Sequence, residues 1–166
     1  MDNYPDPRNH LNGCLADARN TVAAFKAQQG TIFGKVHDEI LLDGAATWVG
    51  ILGKWQAYPK VGAAGDYFVL FLSGHGARQD GGKTWFFLPY DSAHLTDKQI
   101  LDTGDILVKQ KKIVVIIVDA CHCGQMETTA QPYFNHYKTP RQGGMILMLS
   151  SRGDQLSAGS PGFGLL

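Results

Sequence analysis

Two apolar runs stand out along the chain, residues 66–72 (DYFVLFL) and 113–118 (IVVIIV). Runs of this length, rich in β-branched and aromatic side chains, predict strands buried on both faces, as in a parallel sheet. Leu15, Ala18, Val22 and Phe25 recur at helical spacing, which predicts a helix over residues 14–29 closed by Gly30. Residues 39–43 read as a short strand. Thr47 is placed to cap a second helix whose inner face is Trp48, Ile51, Leu52 and Trp55, with Gly50 and Gly53 lowering its propensity. Residues 60–65 form a loop, 79–83 (QDGGK) a turn and 85–88 a further short strand. Thr96-Asp97-Lys98-Gln99 has capping-box form and opens a helix reaching about Val108. A last strand is expected at residues 145–149, between a polar segment at 125–144 and a loop-like stretch at 151–162. The β-α-β-α alternation predicts an α/β sandwich with a mainly parallel sheet.

Composition narrows the class. The chain has 166 residues, is 44% hydrophobic and 18% charged, enough for one α/β domain with a core but not two. Fifteen basic residues balance fifteen acidic ones, so no charge excess points to nucleic acid or an anionic membrane. No apolar run approaches the length of a membrane span, and the polar opening Met1-Asp2-Asn3-Tyr4-Pro5 is unlike a signal peptide. Three cysteines, two of them separated by one residue, cannot pair completely. That usage fits free thiols in a reducing, cytoplasmic setting.

The chemistry lies just beyond the two long strands. Ser73-Gly74-His75-Gly76 follows the first, and Asp119-Ala120-Cys121-His122-Cys123-Gly124 follows the second. Parallel strands end on the same edge, where open α/β sheets place their sites. An imidazole and a thiol brought together there make a nucleophile with its acid/base partner. Cys121 sits where a turn or helix start favours the thiolate, and His75 is placed to protonate a departing amine and then activate water. The N–H groups of Gly76 and Cys121 are candidate oxyanion donors. Taken singly, a cysteine after an apolar strand is usually a small buried residue, and a histidine between glycines is often only part of a turn. The pairing at two strand ends favours catalysis. His122 reads as structural, because a residue adjacent to the nucleophile generally points away from it. Cys123 reads as packing beneath the turn. Adjacent Cys121, His122 and Cys123 lack zinc-ligand spacing, so no metal or other cofactor is expected.

SGHG after one strand and DACHCG after the next resemble the caspase-like cysteine peptidases, in particular metacaspases and their bacterial relatives. The separation of 46 residues from His75 to Cys121 is close to the roughly 50 of caspases. The usual second motif has serine where Cys123 stands. Leu11-Asn12-Gly13-Cys14-Leu15-Ala16-Asp17-Ala18 is similar to the family's first-helix entry. Phe33-Gly34 with Asp38-Glu39-Ile40 is similar to the approach to its second strand, and residues 149–157 (LSSRGDQLS) to the loop after its fifth. The resemblance implies a three-layer αβα sandwich and one catalytic domain over 1–166. That domain divides into a large-subunit-like part (1–124), a linker (125–144) and the start of a small-subunit-like part (145–166). It also implies that the chain lacks the family's first strand and its C-terminal helix and strand, which another chain, further segments of a longer chain, or nothing at all would supply.

The resemblance further implies a specificity. The family's S1 pocket positions correspond to Cys14, Asp17, Ser73 and Asp119, and two carboxylates in a narrow pocket select a guanidinium or ammonium group. The implied reaction is cleavage of protein or peptide substrates after Arg or Lys. Without the family, Asp17 reads as a helix-start charge and Asp119 as a turn cap. Arg78 or Arg152 forming a basic pocket for Asp is the minor alternative. Many metacaspases are activated by calcium through acidic residues. Here the candidates are Asp91, Asp97, Asp102 and Asp105, with Lys98 where a second acid of an adjacent pair would stand, so weak or absent calcium dependence is expected. Lys138 and Arg141, in the polar linker, are candidate self-cleavage points. The competing readings are an inactive caspase-like interaction module, a fragment needing a missing segment, and a thiol hydrolase acting on non-peptide amides or esters.

Overall fold

A computed structural model describes residues 1–136 and 143–157. In chain order the elements are α1 (Cys14–Ala27), α2 (Trp48–Ala57), β1 (Tyr67–Ser73), β2 (Gly76–Gln79), β3 (Thr84–Phe87), β4 (Leu95–Thr96), α3 (Asp97–Lys109), β5 (Ile113–Asp119), α4 (Met126–His136) and β6 (Gly144–Leu149). The main sheet is parallel in the order β1-β5-β6, and β2-β3-β4 form a small antiparallel sheet beside it. The mainly parallel α/β architecture expected from the pattern is therefore present.

Packing explains the element choice. Leu70, Leu72, Val114, Ile116 and Val118 point to one face of the sheet and are buried against Ile51 and Trp55 of α2 and Ile100, Leu101, Leu107 and Val108 of α3. Each fully buried side chain of this kind contributes about 1.5–3 kcal/mol, so these positions dominate the core. Burial along β5 alternates strictly. The expectation of strands buried on both faces is thus only half met, because β1 and β5 turn Val69, Phe71, Val115 and Ile117 to a half-covered face that continues into exposed Ile146 and Met148 of β6. On that side α1 packs on β1, and a chain of rings runs from Phe25 through Phe33 to Tyr67.

The caps follow the sequence closely. Thr47 accepts the Gly50 N–H at 3.0 Å, and Thr96 with Gln99 forms the full capping box of α3. The start of α1 is capped from a distance. Gly13, at its N-cap, offers no side chain, and the Asp2 carboxylate accepts the N–H groups of Gly13, Cys14 and Leu15 at 2.9–3.3 Å. Asp43 in turn accepts the N–H groups of Asp2 and Asn3, and Met1 and Tyr4 are buried. The opening residues are therefore an integral part of the fold.

Two expectations are corrected. Residues 39–42 form no strand, and 43–45 are a short 3-10 turn; a strand needs a ladder partner, and none of the described elements pairs with this segment or with the outer side of β1. The polar stretch 125–144 is not a plain linker, since α4 occupies 126–136 with Met126 and Ala130 buried and Tyr133 packed on the core. Two short strands, β2 and β4, went unpredicted.

Candidate active site

Strand register builds the site. β1 and β5 run parallel with Ser73 opposite Asp119, and the Gly74 N–H adds one more bond to the Asp119 carbonyl, at 3.2 Å. Both motifs therefore leave the same edge of the sheet side by side. The contact continues past the strands. A Cβ on Gly76 would lie 2.6 Å from the Cys121 carbonyl oxygen, so only glycine permits this approach of the two turns.

His75 is held by groups from the chain's opening segment. Its Nε2 lies 2.8 Å from the Asn9 carbonyl oxygen. A carbonyl only accepts, so Nε2 carries a hydrogen, and in the neutral ring Nδ1 then holds the free lone pair. The His75 N–H donates to the Tyr4 hydroxyl at 3.1 Å, and that hydroxyl donates to the Leu88 carbonyl at 3.0 Å. The Leu88 N–H returns a bond to the His75 carbonyl at 2.9 Å, and the Tyr4 and His75 rings lie 5.0 Å apart. Burial pushes the Tyr4 hydroxyl up to about 12, so it remains a proton donor across the physiological range.

Cys121 is half-buried, its thiol directed at the Ser157 carbonyl at 3.9 Å. Its own carbonyl accepts the indole N–H of Trp85 at 2.9 Å. The next residue, His122, adopts left-handed backbone (φ 58°), an uncommon conformation outside glycine. Its N–H donates to Gln155 and its Nδ1 meets the Gly153 carbonyl at 3.2 Å. That arrangement fits the structural reading of His122. Cys123 is fully buried, with Sγ against Val118 and Ser151, beneath the turn as expected.

Of the pocket candidates, Ser73 and Asp119 are neighbours in register. Burial pushes the Cys14 thiol up, while the Ser73 side chain and the nearby terminal ammonium pull it down; the net direction is upward. Asp17 follows Cys14 by three residues on the same face of α1, with Oδ1 buried. Asp119 accepts the Ser157 hydroxyl at 2.9 Å, and Ser157 also contacts the Ser150 hydroxyl at 3.2 Å. Arg78 is exposed, and Arg152 is exposed and paired with Asp154. Lys138 and Arg141 lie outside the described residues.

Tyr4, Asn9, Trp85 and Ser157 belong to the site and were not singled out from sequence. Only Ser157 had a signal, in the LSSRGDQLS stretch. An open cleft of about 450 Å³ lined by Gly124, Glu127, Arg152 and Asp154 includes neither His75 nor Cys121. Among the described residues no three His, Cys, Asp or Glu side chains cluster as metal ligands. The calcium candidates are engaged elsewhere: Asp91 caps α2 at the Trp48 N–H, Asp97 is buried against Thr129, Asp102 holds Lys98 and Tyr133, and Asp105 holds Lys109. This set does not fit a hard cation that needs several converging oxygens. No helix of the described residues is long and apolar enough to cross a membrane.

Comparison with known proteins places this geometry. The family model of the caspase domain matches residues 1–164. Among solved structures, the crystal structure of protein GSU0716 from Geobacter sulfurreducens aligns at 21% identity with a TM-score of 0.63, covering 98% of this chain and 74% of that one. No curated protein matches the chain. The chain belongs to the caspase-domain family of cysteine peptidases.

Proposed function

We propose that the protein is a metacaspase-like cysteine endopeptidase cleaving protein or peptide substrates after Arg or Lys. Cys121 is the nucleophile and His75 the acid/base. The observation that supports this most directly is the in-register end of β1 and β5, with Gly76 lying against the Cys121 carbonyl. With Nε2–H held by Asn9, Nδ1 is the nitrogen free to exchange protons. It takes the thiol proton as sulfur bonds the scissile carbonyl carbon, and returns it to the amine as the C–N bond breaks. Water then attacks the thioester, giving its proton to Nδ1, and Cys121 leaves as the thiol. The Gly76 and Cys121 N–H groups hold the oxyanion.

Asp17 and Asp119, with Cys14 and Ser73, take the basic side chain. The Ser157 hydroxyl now on Asp119 exchanges for the substrate cation, which brings the stronger charge-assisted bond. No calcium is required, the protein works in the cytoplasm, and nucleic acid and membranes are not partners. Lys138 and Arg141 are the proposed self-cleavage points. Hydrolysis of reporters ending in Arg, Lys and Asp tests the reading: cleavage after Arg and Lys, lost in Cys121→Ala, is expected. Cleavage only after Asp contradicts the acidic pocket, and a folded, silent chain favours an interaction module.

A further inference from the structure

We infer that Trp85 is a positioning residue that sets the spacing of the two oxyanion donors. The inference rests on the peptidase reading above. Trp85 is fully buried in β3, two residues before Phe87, which pairs with Gly76. Its indole N–H donates to the Cys121 carbonyl at 2.9 Å. The same indole packs against Gly76, where a Cβ would meet Cζ2 at 2.6 Å and Nε1 at 2.8 Å. One rigid ring therefore touches both residues whose N–H groups are assigned to the oxyanion, and it reaches each from the core side.

The indole is itself anchored. Trp85 pairs with Arg78 across β2 and β3, its backbone N–H faces the buried Asp97 carboxylate at 3.5 Å, and Asp97 accepts the Thr129 hydroxyl of α4 at 2.7 Å. The bond matters because the adjoining turn is strained at His122, and a non-glycine residue in left-handed backbone persists only where its surroundings hold it. The loop at 151–155 holds the turn on one side through Gln155 and Gly153. Trp85 holds the carbonyl of Cys121. Donors set for a developing charge lose their effect when displaced by about 1 Å, with rate losses near 10²-fold.

The test compares wild type and Trp85→Phe on an Arg-terminated fluorogenic peptide, alongside alkylation of Cys121 by iodoacetamide, which forms an S–C bond, expels iodide and uses no oxyanion donor. Trp85→Phe should lower kcat about ten- to hundred-fold, leave KM within threefold, and leave the alkylation rate within twofold. Site-specific replacement of Trp85 by 3-benzothienylalanine, which keeps the bicyclic ring but puts sulfur in place of the N–H that meets the Cys121 carbonyl, should give the same signature, and it carries the test if Trp85→Phe does not fold. An active wild type with unchanged kcat in the variant overturns the positioning role alone. A parallel fall in kcat and alkylation also overturns it, since general distortion then explains the loss. A silent but folded wild type overturns the peptidase reading and this inference with it.

Discussion

Tyr4→Phe removes one oxygen atom and two hydrogen bonds. The hydroxyl accepts the His75 N–H and donates to the Leu88 carbonyl, at 3.1 and 3.0 Å, in a residue only 2% exposed. A buried donor left without a partner costs about 1–3 kcal/mol. The Leu88 carbonyl has a second lone pair and loses less, so about 2 kcal/mol in all is expected at pH 7. For a chain of this size that lowers Tm by about 4–8 °C. The difference should depend on pH. The folded chain keeps the phenolic proton to about pH 12, whereas the unfolded chain releases it near 10. Between those values the unfolded state binds fewer protons, so this group's stabilisation is complete below pH 10 and is lost as pH rises through 12. The loss amounts to about 2–3 kcal/mol. Wild type should lose that stability and Tyr4→Phe should not, so their urea midpoints, followed by circular dichroism, should converge between pH 10 and 12. A variant within about 0.5 kcal/mol of wild type at pH 7, or a gap unchanged by alkali, refutes the assignment.

Other outcomes follow from the same geometry. Lys112 is 2% exposed, its ammonium bonded to the Val61 carbonyl at 2.6 Å and to Gln110 at 2.9 Å, so Lys112→Met leaves the closing turn before β1 without its donor and should cost about 2–4 kcal/mol in urea unfolding. Asp119→Ala should raise KM for Arg reporters at least tenfold while leaving alkylation of Cys121 intact; equal KM values place the basic side chain elsewhere. Gly124→Ala would set a Cβ 2.6 Å from the Gly153 backbone nitrogen and 2.7 Å from the Ser151 oxygen, and thermal denaturation should show a loss of about 1–3 kcal/mol. Chelator followed by excess calcium should leave the hydrolysis rate within twofold; a large gain on adding calcium shows a cation site that these carboxylates do not make.

Where local physics decides, the sequence is legible. Thr47 and Thr96 cap the helices they were expected to cap, because a side-chain oxygen and the N–H two or three residues on suffice. The apolar runs became β1 and β5, and parallel ends then fix the meeting of SGHG and DACHCG. What escaped depends on partners distant in sequence. A strand at 39–43 needs a neighbour that none of the described elements provides. β2 has four residues with no apolar alternation, and it exists because β3 pairs with it. The turns of α4 were hidden by polar composition and by Pro132, although Met126, Ala130 and Tyr133 keep helical spacing. Tyr4 and Trp85 look like ordinary core aromatics in sequence. Their polar atoms meet His75 and Cys121 only across separations of 71 and 36 residues.

The most direct measurement is hydrolysis of Arg-, Lys- and Asp-terminated fluorogenic peptides under reducing conditions, by this chain and by Cys121→Ala, with folding of both followed by circular dichroism. The account predicts cleavage after Arg and Lys that disappears in the variant while its fold remains. Cleavage after Asp alone, or activity that survives loss of the thiol, contradicts it.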